Sequence, residues 1–117
     1  MIDFNLTEEQ LAIKAMASSF AQRNFQPNSG TWDQEEIFPR LELQMAAELG
    51  LAGIYISEEV GGAGLTRLDA AIVFEELAAA CPSTAAYLSI HNMVAWMVDH
   101  FGNDEIRCRF VPGLTKM

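Results

Sequence analysis

Between Thr84 and Val98 the chain offers few polar groups: the side chains of Thr84, Ser89, His91 and Asn92, the Tyr87 hydroxyl and the Trp96 indole nitrogen. Apolar residues fall on every side of a helical wheel drawn over this stretch. A helix that is apolar all round is one buried in a larger assembly. The stretch falls short of the roughly 18–20 apolar residues that a membrane span needs, and no other run reaches that length. The neighbours it calls for are therefore other protein elements rather than lipid.

The segments around it carry helix punctuation. Thr7 reads as an N-cap, with Gln10 as capping-box partner, Glu8 and Glu9 in the first turn, and Leu6 and Leu11 placed to form the staple. Ala12, Met16 and Phe20, with Leu11 and Ala15 alongside, give the first buried stripe. The pattern stops before Pro27-Asn28-Ser29-Gly30, a turn cluster. Pro39 suits the first position of a second helix, with Leu41, Met45, Ala46 and Leu49 as its stripe and Gly50 just past its end. Leu51–Ile56 reads as a short extended apolar run, and Gly61–Gly64 as a flexible loop. Thr66, with Asp69 three residues on, caps a third helix whose stripe is Ala70, Val73, Phe74, Leu77, Ala78 and Cys81. Cys81-Pro82-Ser83 ends that helix and starts the apolar one. Gly102 closes it, and Asn103 caps a fifth helix running through Ile106 and Phe110 toward Pro112-Gly113. The expected fold is all-α: a bundle of about five helices with one Gly-rich irregular crossing, in one domain over residues 1–117.

Half of the 117 residues are hydrophobic and the formal net charge is −9. Disorder pairs high charge with low hydrophobicity, so this is a folded chain. A polyanion would be repelled, which excludes a nucleic-acid partner. The two cysteines, Cys81 and Cys108, form no Cys-x-x-Cys pair and read as free thiols of a reducing compartment. No basic leader, long apolar leader or Arg-rich transit segment is seen, so the expected location is cytoplasmic, or the mature part of an organelle protein.

Candidate chemistry is sparse. Gly61-Gly62-Ala63-Gly64 is followed by Leu65-Thr66 where a phosphate loop needs Gly-Lys-Ser/Thr, and by Arg67 where a dinucleotide fingerprint needs a third small residue. It reads as a structural turn. His91 and His100 have no metal-ligand spacing, and His91 reads as a hydrogen-bonded histidine in a buried helix. The Glu-Glu pairs at 8–9, 35–36, 58–59 and 75–76 point about 100° apart on a helix and read as solvated faces rather than catalytic dyads. No Ser or Cys has a positioned base. One arrangement stands out: Ala85, Ser89 and Met93 follow i, i+4, i+8, with bulkier Tyr87, Leu88, Val94 and Val98 opposite. Such a small-residue groove receives a short acyl chain or another helix, the latter being the commoner use.

Several blocks taken in order carry a resemblance. They are Thr7-Glu8-Glu9-Gln10, Trp32-Asp33, Phe38-Pro39, Glu48-Leu49-Gly50-Leu51, Val60-Gly61-Gly62-Ala63-Gly64-Leu65 and Ile72-Val73-Phe74-Glu75-Glu76-Leu77-Ala78. Together they resemble the N-terminal helical domain of the acyl-CoA dehydrogenases, over the whole chain. Ser89–Met97 and Phe101-Gly102-Asn103 look most similar to members acting on short branched acyl-CoAs such as isobutyryl-CoA. The resemblance implies an enzyme about three times this length, with a middle β-domain and a C-terminal helical bundle. It would α,β-desaturate an acyl-CoA, a Glu removing the α-proton while FAD takes a β-hydride. It implies a homo-tetramer that delivers electrons to an electron-transfer flavoprotein. Flavin signature and catalytic Glu belong to the other domains, so no residue here is expected to be catalytic or cofactor-binding, and the chain alone is expected to be inactive. The tail-facing positions it implies are Ala85, Ser89 and Met93, with Leu88 as neighbour. The rival expectation is a non-catalytic helical interaction module.

Overall fold

Thr7 and Thr66 each open a helix in the same way. Each hydroxyl accepts the backbone N–H three residues on (3.1 Å in both cases), and the Gln10 or Asp69 side chain accepts the cap residue's own N–H (2.9 Å in both cases). These boxes satisfy donors that a helix start otherwise leaves orphaned. The computed structural model describes residues 2–117, which form six α-helices and no strand. They are α1 (Glu8–Asn24), α2 (Ser29–Gln34), α3 (Arg40–Glu48), α4 (Arg67–Ala80), α5 (Pro82–Phe101) and α6 (Asp104–Lys116), with one 3₁₀ turn at Glu58–Val60.

The all-α class is the one the sequence indicates, with one helix more than expected. The additional helix, α2, lies where a turn cluster is expected. It carries Trp32, whose ring meets Phe25 edge-on at 6.0 Å and packs against the core. Burying that indole outweighs the helix cost of Gly30. α6 likewise runs past its expected stop, through Pro112 to Lys116. The His91 ring N–H donates to the Leu114 carbonyl at 2.7 Å, and the Thr115 hydroxyl donates to the Pro112 carbonyl at 3.0 Å.

α1 packs along α4, α4 along α5, and α5 along α6. The result is a slab with Cα extents of 44 × 41 × 19 Å, about two helices thick. The main core draws Ala17, Phe20 and Phe25 from the α1 region, Leu43 and Ala46 from α3, Val73 and Leu77 from α4, and Ala85 and Leu88 from α5. Two expected stripes are rotated. In α1, Leu11, Ala12 and Ala15 are exposed, and the inner row is Ile13, Met16, Ala17, Phe20 and Ala21. In α3, Leu41, Met45 and Leu49 are exposed, and Leu43, Ala46 and Ala47 are buried. Both helices carry apolar residues on more than one side, so the neighbour decides which row is used. The α4 stripe is as expected, with Ala70, Val73, Leu77 and Cys81 buried and Phe74 and Ala78 half-buried.

Residues 51–56 are not extended. They fold as successive turns after a Schellman cap, in which Gly50 (φ +85°) donates to the Ala47 carbonyl and Leu51 to the Ala46 carbonyl. The Gly-rich crossing is clipped onto them: Ala63 N–H donates to Gly53 O, Gly64 N–H to Ile56 O and Leu65 N–H to Ile54 O, at 2.8–2.9 Å. It is a structural turn packed in place.

Candidate functional site

α5 is where sequence and fold converge. Pro82 starts it, and its inner side is pinned by two polar residues that the sequence reading left unused. Asn92 is fully buried. Its amide NH₂ donates to the Leu51 and Leu88 carbonyls at 2.9 Å each, and its carbonyl accepts from Ile54 N–H at 2.7 Å. Two turns on, Asp99 accepts from the Ser57 hydroxyl (2.7 Å), the Ser57 N–H (3.3 Å) and the Arg107 guanidinium (2.9 Å). Arg107 also bonds Glu59 and Asp104. Burial pushes the Asp99 carboxyl up, but these hydrogen bonds and the Arg107 charge outweigh it and hold it below its ordinary value. The Glu59 and Asp99 carboxylates in turn hold the Arg107 proton more firmly than usual.

The outer side is different. Ile90, Met93, Val94, Met97 and Phe101 are all exposed, Phe101 to 72%. The helix expected to be buried all round therefore has one buried and one open apolar face. Of the four expected tail-facing positions, Ala85 and Leu88 lie in the core, Ser89 is half-buried and Met93 is 46% exposed. The i, i+4 row is not one flat face, because each step of four residues turns about 40° at 3.6 residues per turn. Measured from Asn92, Ala85 lies about 20° round the helix, Ser89 about 60° and Met93 about 100°. The row is a ramp from core to surface. The Ser89 hydroxyl donates to the Ala86 carbonyl at 2.8 Å, so it presents little free polarity outward.

A cleft of about 680 Å³ lies elsewhere, between α2, the start of α3 and the first turn of α5, with Trp32, Phe38 and Tyr87 among its walls. None of the four positions lines it. Cys81 stands at its edge. Burial raises the Cys81 thiol, while hydrogen bonds from Ser29, Thr84 and the Ser83 and Thr84 backbone bring it below its ordinary value. None of those partners is a base, so no nucleophile–base pair forms. Cys108 is exposed, and both cysteines are free. His91 is half-buried, hydrogen-bonded to α6 and stacked near Tyr87. No cluster of metal-ligating side chains occurs among the described residues. No helix among them is long and apolar enough to cross a membrane.

The Gly-rich crossing has no room for a phosphate. A Cβ on Gly62 would meet the Ile56 carbonyl oxygen at 2.2 Å, and the space beside Gly64 is filled by the Glu58 side chain at 2.8 Å. A carboxylate where an anion would sit is the wrong charge, so these residues do not fit a flavin dinucleotide. Residues 7–117 match the model of the acyl-CoA dehydrogenase N-terminal domain. The chain belongs to the acyl-CoA dehydrogenase family. It is 49% identical over 112 residues to the mitochondrial isobutyryl-CoA dehydrogenase of Bos taurus, covering 96% of this chain and 27% of that one. It is 51% identical to the enzyme of the same name from Dictyostelium discoideum, with the same coverage. Among solved structures, one described as the electron transferring flavoprotein of Acidaminococcus fermentans contains a chain that superposes with a TM-score of 0.92. The identity there is 33%, covering 98% of this chain and 30% of that one. The chain thus spans about a quarter of the length of the two curated relatives. Within the acyl-CoA dehydrogenase family it supplies the N-terminal helical domain.

Proposed function

We propose that this chain is the N-terminal domain of an FAD-dependent dehydrogenase that α,β-desaturates a short branched acyl-CoA of the isobutyryl-CoA kind. The outer side of α5 walls the acyl tail at Ser89 and Met93, with Ala85 and Leu88 shaping that wall from behind. The observation that carries this reading is the near-50% identity to two isobutyryl-CoA dehydrogenases over almost the whole chain. The open apolar row on α5 supports it, because an acyl tail needs apolar area and no charge. The −9 charge and the filled Gly-rich turn support a division of labour. In this division the CoA phosphates, the flavin and the catalytic carboxylate are held by the other domains of the enzyme. The same reading includes a homo-tetramer, electron delivery to an electron-transfer flavoprotein, and a reducing compartment such as the cytoplasm, which suits two free thiols.

A segment exchange tests it. Residues 7–117 replace the aligned segment of the Bos taurus enzyme, and the exchanged enzyme keeps its FAD and oxidises isobutyryl-CoA. Adding Met93→Trp narrows the tail wall and raises KM about tenfold while FAD content holds. An exchanged enzyme that binds FAD but does not oxidise isobutyryl-CoA would overturn the reading. Unchanged KM in Met93→Trp would remove Met93 from the wall.

A further inference from the structure

Asn92 and Asp99 are spaced i, i+7, so they project from nearly the same line along α5, about 20° apart. Both are buried, and both bond the same irregular segment, residues 51–57, with Asp99 also held by Arg107 of α6. That segment has turns where a helix or strand would supply regular partners. Asn92 takes the place of those partners for the Leu51 carbonyl and the Ile54 N–H, and Asp99 does so for the Ser57 N–H. Apolar packing alone would hold α5 weakly in rotation, because apolar residues surround it and several rows could face the core with similar burial. Directional hydrogen bonds at two levels remove that freedom. A rotation of about 40° would turn Ser89 outward to the angle Met93 now holds, or carry Met93 toward the core, and would rebuild the outer wall with side chains of different size.

We infer that Asn92 and Asp99 are positioning residues that fix the rotation of α5 and thereby set which acyl chains the Ser89–Met93 wall accepts. The inference rests on the acyl-tail reading above. Neither residue touches the tail. Asn92 lies about 60° from Ser89 and about 100° from Met93 round the helix, and its amide is bonded inward to the 51–57 turns. The bonds of these two residues explain how a helix with an open apolar side keeps one register.

The test uses the exchanged holoenzyme with Asn92→Ala and, separately, Asp99→Asn, which retains an acceptor oxygen for Ser57 and loses the charge on Arg107. The readouts are FAD content, kcat and KM for isobutyryl-CoA, and the ratio of kcat/KM between isobutyryl-CoA and a straight-chain acyl-CoA. FAD content and kcat stay within about twofold, KM for isobutyryl-CoA rises about fivefold or more in Asn92→Ala, and the ratio falls in both variants, less in Asp99→Asn. A ratio unchanged in folded, FAD-loaded variants overturns the inference, as does a loss of activity that merely follows loss of bound FAD. If Asn92→Ala yields no folded enzyme, Asp99→Asn decides alone. An inactive unsubstituted exchange refutes the acyl-tail reading itself, whereas an active one with indifferent variants refutes only the clamp.

Discussion

Asp99 remains charged though nearly buried, because Ser57 and Arg107 face it from two other elements while Glu59 and Asp104 balance the remaining donors of Arg107. Its folded-state pKa is depressed, so the sign of its pH effect follows directly. The stabilisation is fully present above the unfolded carboxylate value of about 3.9 and is lost as pH falls through the lower folded value. Urea unfolding of this chain between pH 7 and pH 2.5 is expected to show stability falling over the acid end of that range. Asp99→Asn lowers stability at pH 7 and flattens the acid slope, and an unchanged slope would mean that Asp99 titrates alike in both states. Asn92 and Asp99 were present in the sequence as one amide in an apolar stretch and one carboxylate near a helix end. Their roles were not legible, because their partners lie some 40 residues away in a segment that periodicity reads as extended.

Helix type and helix ends were legible wherever a local bond decides them. The capping boxes at Thr7 and Thr66, the Asn103 cap and the Gly50 terminus all rest on contacts within a few residues. Rotation was not legible in α1 and α3, because Leu11, Ile13, Met45 and Leu43 are equally apolar and only the packed neighbour separates the inner from the outer row. In α4 the i, i+3, i+4 row from Ala70 to Cys81 was legible, although Leu68 is exposed and the capping residue Asp69 is buried. Glycines divide in the same local manner. A Cβ at Gly62 collides with the Ile56 backbone, whereas one at Gly30 in α2 meets nothing within 4 Å. Gly62→Ala is expected to cost about 3 kcal/mol or more, since two backbone segments would have to part. Gly30→Ala is expected to stabilise by about 0.5 kcal/mol through lower unfolded-state entropy. Chemical denaturation of the two variants checks the contrast, and equal effects would contradict the clipped arrangement of residues 51–65.

The whole molecule is a thin slab whose middle helix turns one face to a polar-pinned core and the other to open surface. Its family and the all-helical class were legible from ordered blocks spread along the chain. The uneven burial of α5 was not legible, because composition counts apolar residues without saying which of them find partners inside 117 residues. In the proposed enzyme the outer side of α5 faces the interior of a larger acyl-CoA dehydrogenase. Methionine oxidation by dilute peroxide, read by mass spectrometry, tests it directly, because access controls sulfoxide formation and both Met93 and Met97 lie on that side at 46% exposure. Both are expected to oxidise rapidly in the dilute isolated chain and to be strongly protected in the exchanged, FAD-loaded enzyme. Equal oxidation rates in the two states would contradict it.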